Sequence, residues 1–422
     1  MKKVLILSYY FPPCNLTAAQ RIGSWEKYLP EFGFYPIVVT RHWTGNELSE
    51  IERLSPNTQP VKIEKHEKSE VHSLPYKKNW RDYFFIKGQN TKLFLLLSKT
   101  VTLFNVFFQN FTIKAIRFNN LCDYADKLIR AQHIEYVIIS VDPFEQFFFG
   151  YLLKKKYPNL KWIADYRDDW TTSDIDKFTF RKLQSLSEKK WVSTASLVTS
   201  VSPYYTDKIA SFTNVPGLTI YNGFKEMEVT KKPLPKSQFH ITYNGTLYPS
   251  QPIDIFLEGL KMAIDKIDKI SFHISFPGLL FKPAEAKRVI QLMKGYETYI
   301  TITDRVKKEE VLMLQQNSDI LLMVAHKGIK GIPSSKVFEY IGLAKPFIVC
   351  PGDEDVLDQI ARESKLGVIL NDSLSVYKYL LKEVEKKQTD IDTATTSNHE
   401  ARALFSVKHQ VKQLAEALKN LN

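Results

Sequence analysis

A chain of 422 residues is too long for one ordinary hydrophobic core and points to two domains. At 44% hydrophobic and 25% charged residues, it is neither disordered nor fibrous. The formal charge of +12 favours anionic partners, but no arginine-rich tract or nucleic-acid motif accompanies it, so nucleic acid ranks below nucleotide diphosphates and acidic membrane surfaces. Cys14, Cys122 and Cys350 are too far apart for a disulfide framework or a metal cluster, which suits a reducing, cytoplasmic compartment.

The N-terminal MKKVLILSYYFPP has a short apolar core and no small-residue cleavage site, so it reads as a buried first strand and not as a secretion signal. Strand patterns at 4–10, 35–40, 61–65, 136–140, 161–165, 196–200 and 218–221 alternate with helical patterns at 18–29, 113–132, 145–156, 173–194 and 204–212. Apolar runs separated by helices imply a mostly parallel sheet covered on both faces, with ligands at the carboxyl ends of its strands. A polar, proline-containing stretch at 226–238 reads as a linker. The alternation then restarts, with strands at 240–245, 271–276, 298–302, 319–324, 346–350 and 366–370. Helical patterns at 252–264, 281–294, 306–316, 334–342, 353–363 and 374–387 lie between them. The chain therefore reads as α/β throughout, with Rossmann-like domains at 1–225 and 239–394. A helical segment at 395–422 is placed to pack back on the first domain.

One stretch breaks the rhythm. Residues 76–118 carry eight Lys or Arg against a single acid, Asp82, with aromatics throughout. The apolar run at 93–108 is shorter than the roughly 20 residues that span a bilayer. Two readings stand. Phe84, Phe85, Phe94, Phe104, Phe107 and Phe108 insert shallowly into an anionic leaflet, or the apolar stripe packs on the sheet and the lysines are ordinary solvated groups.

Three segments carry candidate chemistry. After the first strand, a loop of small and polar residues including Asn15 opens a helix that bears Arg21, an acceptor-side position for an anion or else a surface or salt-bridging group. WIADYRDDWT puts Asp165 at a strand end and Arg167, Asp168 and Asp169 in the loop beyond it. That cluster orients an acceptor hydroxyl or a phosphate, or forms a structural Arg–Asp network; a divalent metal is the least supported reading. In GIPSSKVFEY, Ser334 and Ser335 stand at a helix start, where free N–H groups and the dipole favour a diphosphate. Lys336 adds a point charge, and Glu339, one turn on, can accept from two ribose hydroxyls. The alternative is a surface Lys–Glu pair.

In order and spacing, VLILSYYFPP, ADYRDDWT, LVTSVSPYYTDKI, LTIYNGF, ITYNGTLY, SDILLMV and SSKVFEYIGLAKPFIV resemble the family 4 glycosyltransferases over nearly the whole chain. These are retaining enzymes of the GT-B fold, in which two Rossmann-like domains flank a ligand cleft. The resemblance implies a nucleotide-diphosphate sugar donor held by Glu339, Lys336, Ser334, Ser335, Gly331, Gly245 and Asn244, with no metal and no separate cofactor. Lys336, Asp168 and Arg167 would serve catalysis, and Asn15, Arg21, Asp165 and Asp168 the acceptor side. Two departures matter. No basic residue lies between Gly245 and Lys261 where the family commonly has two, and Gly331 replaces a glutamate common eight residues before Glu339.

The implied activity is hexosyl or N-acetylhexosaminyl transfer to a saccharide or polyprenyl-diphosphate-linked acceptor in envelope polysaccharide assembly. The implied place is the cytoplasm, or the inner face of its membrane as a peripheral protein. An epimerase-like enzyme and a catalytically silent sugar- or protein-binding relative are the alternatives.

Overall fold

The computed structural model describes residues 1–45, 49–54, 56–89, 91–226, 235–267, 270–389 and 399–421. It divides into two units, Met1–Tyr221 with Val411–Asn422, and Asn222–Gln410. Most of the expected linker at 226–238, and the start of the expected helix at 395–422, lie outside the described residues.

The first unit is built on strands β1 (Lys2–Ser8), β2 (Phe34–Arg41), β3 (Lys62–Lys65), β4 (Glu70–Leu74), β5 (Tyr136–Ser140), β6 (Lys161–Asp165), β7 (Leu197–Ser200) and β8 (Gly217–Thr219). They lie in the order β3-β4-β2-β1-β5-β6-β7-β8. β1 is the centre of the sheet because VLIL is apolar on both faces. It pairs in parallel with β2 on one side and β5 on the other, and all four residues are fully buried. The order reverses between β1 and β5, which marks the switch point where open α/β sheets bind ligands.

Sequence patterning missed β4, since Glu70, His72 and Ser73 leave EVHSL with neither an apolar run nor a regular alternation. It did locate β3, within the strand pattern at 61–65, which proves to be an antiparallel edge strand exposed along its length. The expected helix at 173–194 begins only at Arg181, because Arg181 itself folds the preceding loop by donating to the Thr171 and Ser173 carbonyls. The pattern at 113–132 resolves into a short turn at Ile113–Ala115 and a helix at Asn120–Gln132.

The second unit has strands β9 (Gln238–Thr242), β10 (Ser271–Phe276), β11 (Ile300–Ile302), β12 (Ile320–Met323), β13 (Phe347–Val349) and β14 (Gly367–Ile369), all parallel. Their order, β11-β10-β9-β12-β13-β14, reverses between β9 and β12. One apolar core joins Ile241, Phe272, Ile274, Leu322 and Ile348 on the strands to Leu257, Leu260, Val376 and Leu380 on covering helices. Whatever follows β9 and β12 is thereby held at the second switch point.

Candidate functional site

In the second unit, β9 runs out into Tyr243, Asn244 and Gly245, and β12 into Val324, Ala325 and His326. The helix Ser335–Gly342 stands at these ends. Val337, Phe338, Tyr340 and Ile341 are buried, which fixes its rotation and leaves Lys336 and Glu339 half-buried on the other side. Tyr340 locks the helix to the sheet, donating its hydroxyl to the Leu322 carbonyl at 3.2 Å and meeting the Asn244 N–H at 3.5 Å. Ser334 precedes the helix without capping it through its side chain, and of the first-turn N–H groups that of Val337 is taken by the Ser334 carbonyl at 3.1 Å.

The Lys336 side chain reaches back over Gly245 and comes within 5.5 Å of the Tyr243 ring centroid. Gly245 has φ +97°, and a Cβ there would collide with the Lys336 ammonium, so only glycine allows this approach. Among the described residues Lys336 has no hydrogen-bond or ion-pair partner. Burial pushes its pKa down to about 8, opposed only by the Glu339 charge. His326 completes the surroundings: its Nδ1 meets Ser250 Oγ at 2.7 Å, and burial, then the Lys336 charge, holds it below its ordinary value. Glu339 makes no side-chain hydrogen bond or ion pair among the described residues. A cation and a carboxylate without partners, one helical turn apart at a sheet's switch point, form an unsatisfied site.

Gly331 has φ +83° and donates its N–H to Asp355 Oδ2 at 2.5 Å, so a carboxylate stands at this position although the chain has none there in sequence. Beside Gly245, whose N–H donates to the Pro277 carbonyl, a pocket of about 350 Å³ opens between Phe276, Pro277, Thr303, Val306 and Leu314. Sequence reasoning named Lys336, Glu339, Ser334, Ser335, Asn244, Gly245 and Gly331, and the structure brings these to one end of the sheet. It missed His326, Asp355 and the pocket. The end of the DILLMV run was the available signal for His326.

The acceptor-side candidates of the first unit divide. Arg21 and Asp165 form a buried pair, with Arg21 Nη2 2.8 Å from Asp165 Oδ1 and Arg21 Nε 3.2 Å from Oδ2. Ser140 and Thr199 also donate to that carboxylate, and Arg21 Nη1 donates to the Ile220 carbonyl. The expectation that Arg21 and Asp165 present themselves to an acceptor is thus corrected: they tie the helix Thr17–Tyr28 to β5, β6 and β7, and neither is accessible.

The loop beyond β6 is equally anchored. Glu188 accepts from Tyr166, from the Thr171 N–H and from Thr171 Oγ1, and burial raises its pKa to about 7. Asp169 is buried against Lys208. Arg167 and Asp168 are left over, paired at 3.3 Å with Asp168 largely exposed. Asn15 is exposed just before the helix Thr17–Tyr28.

Sequence reasoning overlooked Asp142 and Glu145, just past β5 at the switch point. Burial raises both; Arg167 opposes the shift of Asp142 and Asp168 adds to it. Burial first, then the nearby Tyr9 and Asp142, also pushes the Tyr10 hydroxyl up to about 12. The signal for Asp142 was available in YVIISVD, a strand running into an acid. Among the described residues no group of three His, Cys, Asp or Glu is placed to hold a metal ion, and Cys14, Cys122 and Cys350 are buried and not in disulfides.

No protein-family model and no curated relative matches the chain. Solved structures do. Sucrose-phosphate synthase from Thermosynechococcus elongatus is 14% identical, with a TM-score of 0.58 over 100% of this chain and 99% of that one. A glycosyltransferase from Rickettsia africae is 14% identical, with a TM-score of 0.60 over 100% and 98%. HepE from Anabaena in complex with UDP is 14% identical, with a TM-score of 0.59 over 100% of both chains. At such identity the likeness is one of fold. With its two parallel-sheet units, the chain has the α/β GT-B fold of two Rossmann-like domains.

Proposed function

We propose that the protein is a retaining glycosyltransferase that moves a hexosyl or N-acetylhexosaminyl group from a nucleotide-diphosphate donor to a saccharide or polyprenyl-diphosphate-linked acceptor in envelope polysaccharide assembly. The observation that carries the reading is the Lys336 ammonium, unpartnered among the described residues and seated against Gly245 at the β9/β12 switch point. A donor diphosphate would supply the missing counter-charge, with the first-turn amides after Ser334 and Ser335 sharing the load. That arrangement does without the basic pair absent between Gly245 and Lys261. Glu339 would accept from the ribose hydroxyls, and the pocket beside Pro277 would take the base. Asp355, which accepts from the Gly331 N–H, is the candidate for a sugar hydroxyl. The solved structures of Anabaena HepE with UDP and with UDP-glucose agree with a nucleotide-sugar donor.

In the transfer, the acceptor oxygen bonds to the anomeric carbon as the bond to the diphosphate breaks. The acceptor proton passes to the departing phosphate oxygen. Lys336 stabilises the charge that grows on the leaving group, an interaction stronger in the transition state than before it. Arg167, Asp168 and Asn15 are the accessible acceptor-side groups, with Asp142 beside them. The test is a panel of nucleotide sugars assayed by mass spectrometry for hydrolysis and transfer, with the anomeric configuration of the product read by NMR. Turnover of one donor with retention supports the reading. Epimerisation of the donor, or no binding and no turnover across the panel, overturns it.

A further inference from the structure

The helical hairpin of the first unit carries an apolar face that is largely exposed among the described residues, with only the Phe180 ring set against Phe107. Trp80–Gly88 and Lys92–Phe108 pack against each other, closely enough at the turn that a Cβ on Gly88 would press on the Leu95 backbone. Phe84 stacks on Phe94 across this contact, and Ser98, buried in it, donates to the Arg81 carbonyl. The hairpin is rooted by Asp82, fully buried, which accepts from Tyr76 and pairs with Arg81 and Arg117.

The outward side of Lys92–Phe108 inverts the usual amphipathic pattern. Leu93, Leu96, Leu97, Leu103, Phe104, Phe107 and Phe108 recur at helical spacing and are exposed, Leu96 by 62% and Phe104 by 59%. Phe111 continues the ridge beyond the helix, and Trp80, 70% exposed, stands on the other arm. Seventeen residues at 1.5 Å each make a ridge about 25 Å long. Phe84 and Phe94 are thus internal to the hairpin, while Phe104 and Phe108 are exposed and Phe107, also exposed, meets the exposed Phe180 ring at 5.8 Å. No helix among the described residues is long and apolar enough to cross a membrane.

The charges around the ridge decide what covers it. Lys77, Lys78, Lys87, Lys92, Lys99 and Lys114 are exposed, whereas the only acid of the segment, Asp82, is buried and already paired. A second copy of the chain docking through this face would set lysines against lysines, because a two-fold interface repeats the same patch on both sides. An anionic lipid surface meets both requirements: lipid tails for Leu and Phe, and phosphates for the lysines. We propose that the hairpin is a membrane-docking element, lying in the interface of an anionic bilayer with the ridge of Lys92–Phe108 inserted. This holds whatever reaction the second unit carries out.

The experiment is sedimentation of the full chain with phosphatidylcholine vesicles, with or without phosphatidylglycerol, at low and high salt. The expected result is capture by anionic vesicles, released by salt. Neutralising Lys77, Lys78, Lys92 and Lys99 to Gln should weaken capture by about fivefold for each lysine that lies near the surface. The triple variant Leu96→Glu, Phe104→Glu, Phe108→Glu should abolish capture with its melting temperature unchanged, since all three side chains already face solvent. Equal recovery in the supernatant with anionic, neutral and no lipid overturns the proposal. So does a lipid-independent dimer, seen by analytical ultracentrifugation, that the same triple variant converts to monomer.

Discussion

Arg21 with Asp165 and Lys336 with Glu339 are the same chemistry in two states of satisfaction. Each pair joins a helical cation to a carboxylate near the C-terminal edge of a Rossmann-like sheet. In the first unit Asp165 accepts from Arg21, Ser140 and Thr199, and Arg21 also finds the Ile220 carbonyl and lies 4.7 Å from the Trp25 ring centroid. In the second unit neither Lys336 nor Glu339 has a hydrogen-bond or ion-pair partner among the described residues, and burial works against the Lys336 charge. A buried charge that is fully paired belongs to the fold. One left half-desolvated without a partner costs stability that only a ligand offsets, which makes it the better candidate for function.

The largest expected effect comes from breaking the satisfied pair. Arg21→Ala leaves Asp165 buried and uncompensated, which should cost about 3–5 kcal/mol in the urea unfolding of the first unit. Donor binding per folded molecule should be unchanged. If Arg21→Ala instead keeps full stability and loses acceptor turnover, the pair belongs with the accessible groups.

Lys336→Ala is the converse. It should lower turnover by about 10²–10³-fold, roughly 2.7–4 kcal/mol of transition-state stabilisation. Its melting temperature should stay level or rise, because a half-buried unpaired cation has been removed. A large fall in melting temperature with normal turnover per folded molecule would show Lys336 to be structural. Glu339→Gln should act on the ground state, weakening binding of the free nucleoside diphosphate by about 1–3 kcal/mol in calorimetry. Unchanged affinity in a folded variant removes Glu339 from the site.

The two units were not equally legible in the sequence. The parallel sheets were readable because a strand buried on both faces, such as VLIL in β1, is apolar throughout. β4 was not, since an edge-side strand carrying His72 and Glu70 has no such run. Five of the donor-side residues, Gly331 to Glu339, were readable because they cluster within a dozen positions around one helix start, while Asn244 and Gly245 follow the first strand of the same unit. Asp355, 24 residues beyond Gly331, reaches it only through the fold. The Arg21–Asp165 pair spans 144 residues, and from sequence alone its two members looked like separate candidates for an acceptor. Whether a charge is satisfied is a property of the tertiary structure, and single residue types do not reveal it.

The smallest and most discriminating prediction concerns pH. Lys336 sits at about 8 in the free protein, facing Glu339, the Tyr243 ring and a His326 held largely neutral. Below that value the ammonium is present and a diphosphate binds it directly. Above it the free protein has lost the proton and must take one up to bind, so donor affinity should be flat near pH 7 and fall as pH rises through 8. The fall is at most about tenfold per pH unit, or 1.36 kcal/mol, and ends at the pKa of the bound state. The sign for folding is the opposite. An unfolded lysine titrates near 10.4, so between about 8 and about 10.4 the unfolded chain binds more protons, and this group's contribution to stability rises with pH. A nucleotide sugar is the right probe, since its phosphates do not titrate in this window. Calorimetry in buffers of different ionisation enthalpy should show proton uptake near pH 8.5, and Lys336→Met should show neither the uptake nor the slope. Wild-type affinity that stays level from pH 7 to 9.5 would place the donor diphosphate away from Lys336, and the contrast with Arg21 would then lose its functional meaning.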